Sequence, residues 1–160
     1  MYTKAMVFLA AAMCSASANA GSELMVTTES AKGGVMAVGF DLVSDGSVAG
    51  FSFTLDLLGA ESKALRSSNC VSQVPKGFTA SCVFLQGKVS VIATADAMGQ
   101  TLPAGVQSVG SISLSGGLSK AGSLRVFDFE TSNDNGVSTA GSAKVDGVDM
   151  GDTAAETVAQ

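Results

Sequence analysis

Hydrophobic and polar residues alternate along most of the chain after residue 20. The clearest alternation runs from residue 35 to residue 57 and is divided by an Asp45-Gly46 pair. A repeat of two is typical of half-buried β-strands, because successive side chains point to opposite faces of a sheet. The Asp-Gly pair tolerates positive φ and therefore predicts a tight antiparallel hairpin. Such a hairpin places Phe40, Phe51 and Phe53 on one face.

The same alternation predicts further strands over residues 24–28, 79–85, 88–94, 106–114, 124–131 and 137–143. Short turns at Gln86-Gly87 and Asn135-Gly136 predict two more hairpins. Outside the first 20 residues no helical repeat persists over several turns. Eight or nine short strands of this kind predict an all-β fold, a single-domain antiparallel β-sandwich. Its predicted core contains Phe40, Phe51, Phe53, Leu55, Ile112 and Phe127, with Phe129 facing inward beside Phe127.

The first 20 residues have the organisation of a secretory signal peptide. Lys4 precedes an apolar run over residues 5–14, and small residues then lead to an Ala-x-Ala site that ends at Ala20. Cleavage between Ala20 and Gly21 predicts a secreted or periplasmic protein. The apolar run is shorter than the roughly 20 residues that a membrane-spanning helix needs, which predicts no stable membrane insertion.

Removal of this leader leaves one predicted domain over residues 21–148 and a loosely ordered tail over residues 149–160. Lipid attachment at Cys14 is an alternative to cleavage, although Met13 stands where lipidation signals have a small residue. The other cysteines, Cys70 and Cys82, are an even number in an exported chain and predict a disulfide. Closing a loop of about 12 residues stabilises a fold by roughly 3 kcal/mol. A redox pair or a metal site is the rival interpretation of the two thiols.

Composition excludes several classes of function. The chain has 9 basic and 14 acidic residues, a net charge of −5 and no histidine. Its basic residues are scattered singly, whereas nucleic-acid binding needs a clustered basic surface. Without histidine, a Ser-His-Asp or Cys-His catalytic site is excluded. Paired carboxylates at Asp128 and Glu130, or at Asp41 and Asp56, are compatible with glycoside hydrolysis. A solvated outer face is the simpler interpretation and predicts that the protein is not an enzyme.

Acidic and amide residues near the end of the chain form a candidate calcium site, because calcium prefers several oxygen ligands from flexible loops. The strongest candidates are Asp134, Asp146 and Asp149, with Asn133, Asn135 and Asp152 close to them in the sequence. Their spacing matches no EF-hand. Asn and Asp also form turns for structural reasons, so the sequence predicts no cofactor and keeps calcium as the alternative.

Three segments carry a family resemblance. They are Val38-Gly-Phe-Asp-Leu42 followed by Val48-Ala-Gly-Phe-Ser-Phe-Thr-Leu55, then Lys88-Val-Ser-Val-Ile-Ala-Thr94, and finally Leu102-Pro-Ala-Gly105 running into Val109-Gly-Ser-Ile-Ser-Leu114. In this order they resemble the cohesin-like and carbohydrate-binding β-sandwiches of secreted bacterial proteins. The resemblance implies a binding module without catalysis.

Protein or matrix binding is the function that we expect, and polysaccharide binding is the alternative. Ser52, Thr54 and Asp56 share the polar face of one predicted strand, which suits a flat protein partner, and sheet edges can also accept a strand from another chain. Sugar-binding sandwiches commonly use exposed Trp or Tyr, but the chain has no Trp and its single Tyr lies in the leader. Phe78, between two short residues, is the phenylalanine predicted to be exposed and is a further candidate contact.

Overall fold

The computed structural model describes residues 21–31, 35–57, 71–85, 87–115 and 124–152. Within these residues the chain forms ten strands and no helix, which confirms the all-β prediction. The strands are β1 (Glu23–Ala31), β2 (Val35–Ser44), β3 (Val48–Leu57), β4 (Phe78–Leu85), β5 (Lys88–Ala95), β6 (Gly105–Ser115), β7 (Leu124–Asn133), β8 (Ser138–Ala140), β9 (Ser142–Val145) and β10 (Val148–Asp152).

The strands form two five-stranded sheets that pack as a sandwich. The first sheet has the order β10-β9-β1-β2-β6, and the second has the order β4-β5-β3-β7-β8. Neighbouring strands are antiparallel, except that β1 and β9 run parallel. The predicted sandwich is therefore correct, but its strands are not antiparallel throughout.

The core lies between the inner faces of the two sheets, as the alternation predicts. Phe40 of β2 and Phe53 of β3 are both buried, and their ring centroids lie 4.9 Å apart across the sandwich. Phe51 stacks on Phe53 with the ring centroids 6.4 Å apart. Among the other predicted core residues, Leu55 and Ile112 are buried. Burial of a large apolar side chain contributes roughly 1.5–3 kcal/mol, so these residues supply much of the driving force for folding.

The predicted hairpin between β2 and β3 does not form. β2 pairs with β1 and β6 in the first sheet, whereas β3 pairs with β5 and β7 in the second. The Asp45-Gly46 turn, in which Gly46 has a φ of 95°, instead carries the chain from one sheet to the other. The period of two indicates which face of a strand is buried but does not indicate its partner. Phe40 therefore faces Phe51 and Phe53 from the opposite sheet rather than sharing one face with them.

Hydrogen bonds hold this corner between the sheets. The hydroxyl of Ser44, which is buried, accepts a bond from the Gly46 backbone N–H (3.0 Å) and donates one to the Leu102 carbonyl (3.3 Å). The Leu102 N–H donates in turn to the Val48 carbonyl at 2.7 Å. The segment before β6 is thereby tied to the place where β2 ends and β3 begins.

A bulge in β7 corrects the predicted orientation of Phe127. Asp128 has a φ of 53°, and the pairing of β7 with β3 shifts register between Ser52 and Thr54. The extra residue inverts the alternation, so that Phe127 is 37% exposed while Phe129 is fully buried. Phe127 is therefore not part of the core, and the predicted inward pair is reduced to Phe129 alone.

The predicted hairpin at Gly87 forms between β4 and β5, and the one at Gly136 forms between β7 and β8. The strand predicted over residues 137–143 is divided at Gly141, where the chain leaves β8 of the second sheet and enters β9 of the first. A further hairpin joins β9 to β10 through Asp146 and Gly147, which have φ angles of 48° and 79°. Strand β10 includes residues 148–152, the first residues of the predicted tail.

Several predictions fall outside the described residues. The signal peptide over residues 1–20, Cys70 and residues 153–160 of the tail lie there, and Gly21 is the first residue that the structure describes. None of the described residues belongs to a helix long and apolar enough to span a membrane.

Candidate binding face

The predicted polar row of Ser52, Thr54 and Asp56 lies on the outer face of the second sheet. All three side chains are partly exposed on β3, the central strand of this sheet. They point outward because Phe51, Phe53 and Leu55 alternate with them and face the core. Their outward position follows the predicted alternation, and their role in binding stays a prediction.

Strand register determines which side chains adjoin this row. Each of the three residues has one neighbour on β5 and one on β7. The Thr54 and Ser90 hydroxyl groups are hydrogen-bonded to each other at 3.0 Å. Three rows therefore cross the outer face of the second sheet: Ile92–Ser52–Glu130, Ser90–Thr54–Phe127 and Lys88–Asp56–Arg125.

Three exposed apolar side chains gather around the hydroxyl pair. Val83 of β4 is 63% exposed, Ile92 of β5 is 53% exposed and Phe127 of β7 is 37% exposed. Val83 is paired with Ser90, so it continues the middle row on the side away from Phe127. Two of these residues were not among the predicted contacts and the third was assigned to the core. The alternation of Lys88, Ser90, Ile92 and Thr94 with Val89, Val91 and Ala93 marks Ile92 as outward in the sequence alone.

Charged side chains lie at one end of this apolar group. Lys88 and Arg125 are the two neighbours of Asp56, one on each side. The Lys88 ammonium also lies over the ring of Phe127, 5.7 Å from its centroid, at a distance suited to a cation–π contact. The outer face of the second sheet thus has an apolar centre with hydroxyl groups and a charged end.

A shallow depression of about 110 Å³ opens on the same face. It lies near Gly50, which places no side chain between its neighbours Thr94 and Ser132. Glu130 is the charged residue at its wall. The full lining consists of Phe51, Ser52, Ile92, Ala93, Thr94, Glu130, Thr131, Ser132 and Ser138.

Phe78 does not lie at the surface, which corrects the prediction that it is an exposed contact. It begins β4, where it pairs with Ala95, and it is only 8% exposed. Its ring joins the core because strand β4 starts one residue earlier than the sequence pattern indicates. A sugar-stacking role for Phe78 is therefore excluded by its burial.

Among the calcium candidates, the side chains of Asp149 and Asp152 lie outside those that the structure describes, so calcium binding stays a prediction. The Asp146 carboxylate accepts bonds from the Thr28 N–H (2.7 Å) and the Thr28 hydroxyl (2.6 Å). Asp134 lies in the turn between β7 and β8, so strands β8 and β9 separate it from Asp146 along the chain. The Asn133 side chain accepts bonds from the backbone of the same turn. Asp146 and Asn133 therefore act as turn-forming residues, and the described residues contain no group of three or more potential metal ligands.

The two pairs of candidate catalytic carboxylates lie on the outer faces of the sheets. Asp41 lies on the outer side of the first sheet and Asp56 on the outer side of the second, so the two do not share a face. Asp128 and Glu130 are both exposed on β7, next to the bulge.

Cys82 is a half-buried residue of β4 that packs against the core. Because Cys70 lies outside the described residues, the disulfide stays a prediction.

Comparison with known proteins bears on the fold. Neither a family model nor a curated sequence matches the chain. One similar solved structure is the sixth cohesin of scaffoldin B from Acetivibrio cellulolyticus, in complex with a Cel5 dockerin. It is 18% identical with a TM-score of 0.54, and the match covers 78% of this chain and 94% of that chain. A type II cohesin in a cohesin–X-dockerin complex from the same organism is 10% identical with a TM-score of 0.55, covering 77% and 93%.

A non-cellulosomal cohesin from the archaeon Archaeoglobus fulgidus is also similar, with 12% identity and a TM-score of 0.50 over 76% of this chain and 86% of that chain. These identities are low, so the likeness establishes architecture rather than function. The chain is a cohesin-like β-sandwich.

Proposed function

We propose that this cohesin-like sandwich is a non-catalytic module that binds another protein through the outer face of its second sheet. The observation that carries the proposal is the exposed apolar group formed by Val83, Ile92 and Phe127. On the described part of the first sheet, the exposed large apolar residues are Val106 and Val148, and both lie on edge strands. The second sheet is therefore the better candidate for a contact surface.

The composition of this face supports a protein partner. Protein interfaces commonly have an apolar centre, depleted in charge, within a polar and charged rim. Here the apolar side chains surround Thr54 and Ser90, whose hydroxyl groups are hydrogen-bonded to each other. The charged residues Lys88 and Arg125 lie to one side of this centre. Hydroxyl groups that are already paired lose less on desolvation than unpaired ones.

The similar solved structures also support the proposal. Two of the cohesins described above were crystallised with dockerin proteins, so this fold is known to bind proteins in those molecules. We infer a protein partner for this chain from the shared architecture and from its own surface. The predicted leader makes the exported proteins of the producing organism the place to search for that partner.

Polysaccharide binding is less well supported. Phe78 is buried, and Phe127 is the most exposed aromatic ring in the described chain. The Lys88 ammonium lies over the Phe127 ring, where a sugar would have to stack. We therefore propose protein binding without a second function.

Capture of proteins from the exported fractions tests the proposal when it is combined with surface variants. The double variant Ile92→Ser with Phe127→Ser removes apolar contact from the outer face of the second sheet. Its matched control, Val106→Ser with Val148→Ser, changes exposed valines on edge strands of the first sheet. We expect the affinity of the captured protein to fall at least about tenfold in the first variant and to stay unchanged in the control.

A panel of glycans is tested for binding in parallel, because glycan binding is the alternative function. Loss of capture in the control variant, or full capture by the Ile92 and Phe127 variant, contradicts the proposal. Saturable binding to a glycan without a captured protein also contradicts it. Thermal unfolding of all variants ensures that loss of binding is not loss of fold.

A further inference from the structure

We infer that the depression on the outer face of the second sheet receives an arginine side chain from the protein partner. The inference rests on the proposed function and specifies the chemistry of one contact. The depression has a volume of about 110 Å³. Small-molecule sites commonly measure about 300–1,000 Å³, so this depression suits a single side chain better than a free metabolite or a sugar chain.

The charge of the depression favours a cation. Glu130 is the charged residue of its lining. Among the described residues no lysine or arginine nitrogen lies within 4.0 Å of the Glu130 carboxylate, while Lys144 and Glu23 of the first sheet form an ion pair at 2.7 Å. An exposed carboxylate that has no counter-ion among the described residues is available to a cation on a partner.

The other polar groups of the lining favour arginine over lysine. Ser52, Thr94, Ser132 and Ser138 line the depression, and each carries a hydroxyl oxygen that can accept a hydrogen bond. A guanidinium has five donors in a planar fork, and an ammonium has three around a strongly hydrated point charge. A group that must bond a carboxylate and several hydroxyl oxygens at once is therefore better matched by arginine.

The apolar part of the wall suits the same side chain. Ile92 lines the depression and is about half exposed. Arginine combines an apolar stem, which packs along such a residue, with a charged head that reaches polar groups. Glu130 and Ile92 are the two neighbours of Ser52, so the charged and apolar walls face each other across one strand.

Gly50 lies beside the depression, between the lining residues Thr94 and Ser132. A methyl group at this position would lie 2.7 Å from the Ser132 hydroxyl oxygen and 3.2 Å from the Ala93 carbonyl oxygen. It would therefore occupy the space between Thr94 and Ser132, the two neighbours of Gly50. Gly50→Ala is therefore a substitution that displaces Ser132, a wall of the depression, without changing the charge of the depression.

Titration with single amino-acid derivatives tests the inference without a known partner. The ¹⁵N-labelled protein is titrated with N-acetyl-arginine methylamide, and with the citrulline analogue, which has nearly the same shape without the charge. We expect a saturable shift of the backbone amide signals of Glu130, Ser132 and Ser138 with the arginine derivative. We expect citrulline to bind at least about tenfold more weakly, a difference of about 1.4 kcal/mol. The lysine derivative should bind with intermediate affinity.

Matched variants separate the depression from general charge effects. Glu130→Gln should abolish the saturable shift, and Gly50→Ala should weaken it. Asp128→Asn removes a neighbouring exposed carboxylate from the same strand and should leave the shift intact; asparagine also tolerates the positive φ of that position. A protein-wide ¹⁵N spectrum of each variant confirms that it is folded.

Three results overturn the inference. The first is no saturable shift at about 100 mM arginine derivative, which corresponds to a binding free energy weaker than about −1.4 kcal/mol. The others are equal shifts with the citrulline derivative and an unchanged shift in Glu130→Gln. These outcomes are distinct from failure of the proposed function. If arginine binding fails while capture depends on Ile92 and Phe127, the face binds protein without an arginine contact. If arginine binds while capture does not depend on Ile92 and Phe127, the captured protein contacts a different surface.

Discussion

Phe53 and Phe127 occupy similar positions in the alternating pattern but have opposite roles in the fold. Phe53 is buried against Phe40 and Phe51, whereas Phe127 lies on the outer face after the β7 bulge. We expect Phe53→Ala to lower the free energy of unfolding by about 3–5 kcal/mol, because it leaves a cavity in the core. Phe127→Ala should lower it by less than about 1 kcal/mol. Urea denaturation measures both values, and an equal cost for the two variants would contradict the assigned orientation.

Asp45 provides a pH-dependent contribution at the corner between the sheets. The side-chain hydroxyl of Ser47 donates to the Asp45 carboxylate at 2.6 Å, and the Ser47 backbone N–H donates at 2.8 Å. These bonds hold the pKa of Asp45 below its usual value of 3.8. A lowered carboxyl pKa means that the contribution is complete above the pKa of the unfolded chain and is lost as pH falls through the folded pKa.

Ser47→Ala tests this effect directly. It removes the hydroxyl bond, the largest cause of the shift, so the pKa of Asp45 should rise toward its usual value. Carboxyl ¹³C NMR titration of the folded protein measures the change. Ser108→Ala, on strand β6, serves as the control and should leave the Asp45 titration unchanged. An identical Asp45 curve in wild type and Ser47→Ala would show that the hydroxyl bond has no influence.

At the scale of elements, Gly141 allows the chain to change sheets between β8 and β9. A methyl group there would collide with the Phe129 ring and the Ser22 carbonyl oxygen. We expect Gly141→Ala to destabilise the protein by about 2 kcal/mol or more, because a buried ring and a backbone segment would both have to move. Gly39→Ala is the control, since a methyl group on that strand residue meets no atom within 4 Å. Thermal or urea unfolding compares the two, and similar stabilities would rule out the crowding at Gly141.

Strand positions could be predicted from the sequence more reliably than strand partners. Alternation placed β4 to β7 close to their observed limits, and glycine turns predicted the β4–β5 and β7–β8 hairpins. The Asp45-Gly46 turn has the same sequence signal as a hairpin but joins two sheets, because pairing depends on contacts made elsewhere along β2 and β3. The Asp146-Gly147 pair carries the same turn signal and forms the β9–β10 hairpin, but its carboxylate also makes it a calcium candidate in the sequence.

The candidate binding face was only partly predictable for a related reason. Ser52, Thr54 and Asp56 follow from alternation within β3. Their neighbours Ile92, Phe127 and Glu130 become part of the same surface only when the order β5-β3-β7 is known. The bulge at Asp128 adds a second obstacle, because a non-glycine residue with positive φ leaves no clear signal in a single sequence. Tertiary pairing, rather than local pattern, determines this surface.

At the scale of the whole molecule, the Phe40–Phe53 contact joins the two sheets through the core. Aromatic pairs contribute about 0.5–1.5 kcal/mol beyond their burial, so a double-mutant cycle of Phe40→Leu and Phe53→Leu should give a coupling energy in that range. Phe40→Leu with Ile112→Val, within the first sheet, provides a comparison between buried residues without a second ring. Strict additivity of the Phe40 and Phe53 changes would contradict a direct contact between their rings.

The parallel pairing of β1 with β9 also affects the order in which the molecule is completed. Residues 23–26 lie beside residues 142–145, so the first strand has an unpaired edge until nearly all of the chain has been synthesised. Exposed strand edges are templates for pairing with other chains, and contacts between distant residues form slowly. A nascent chain that stops before residue 142 therefore contains a β1 strand that other chains can extend. This edge of β1 therefore stays open to pairing with another chain until residues 142–145 join the first sheet.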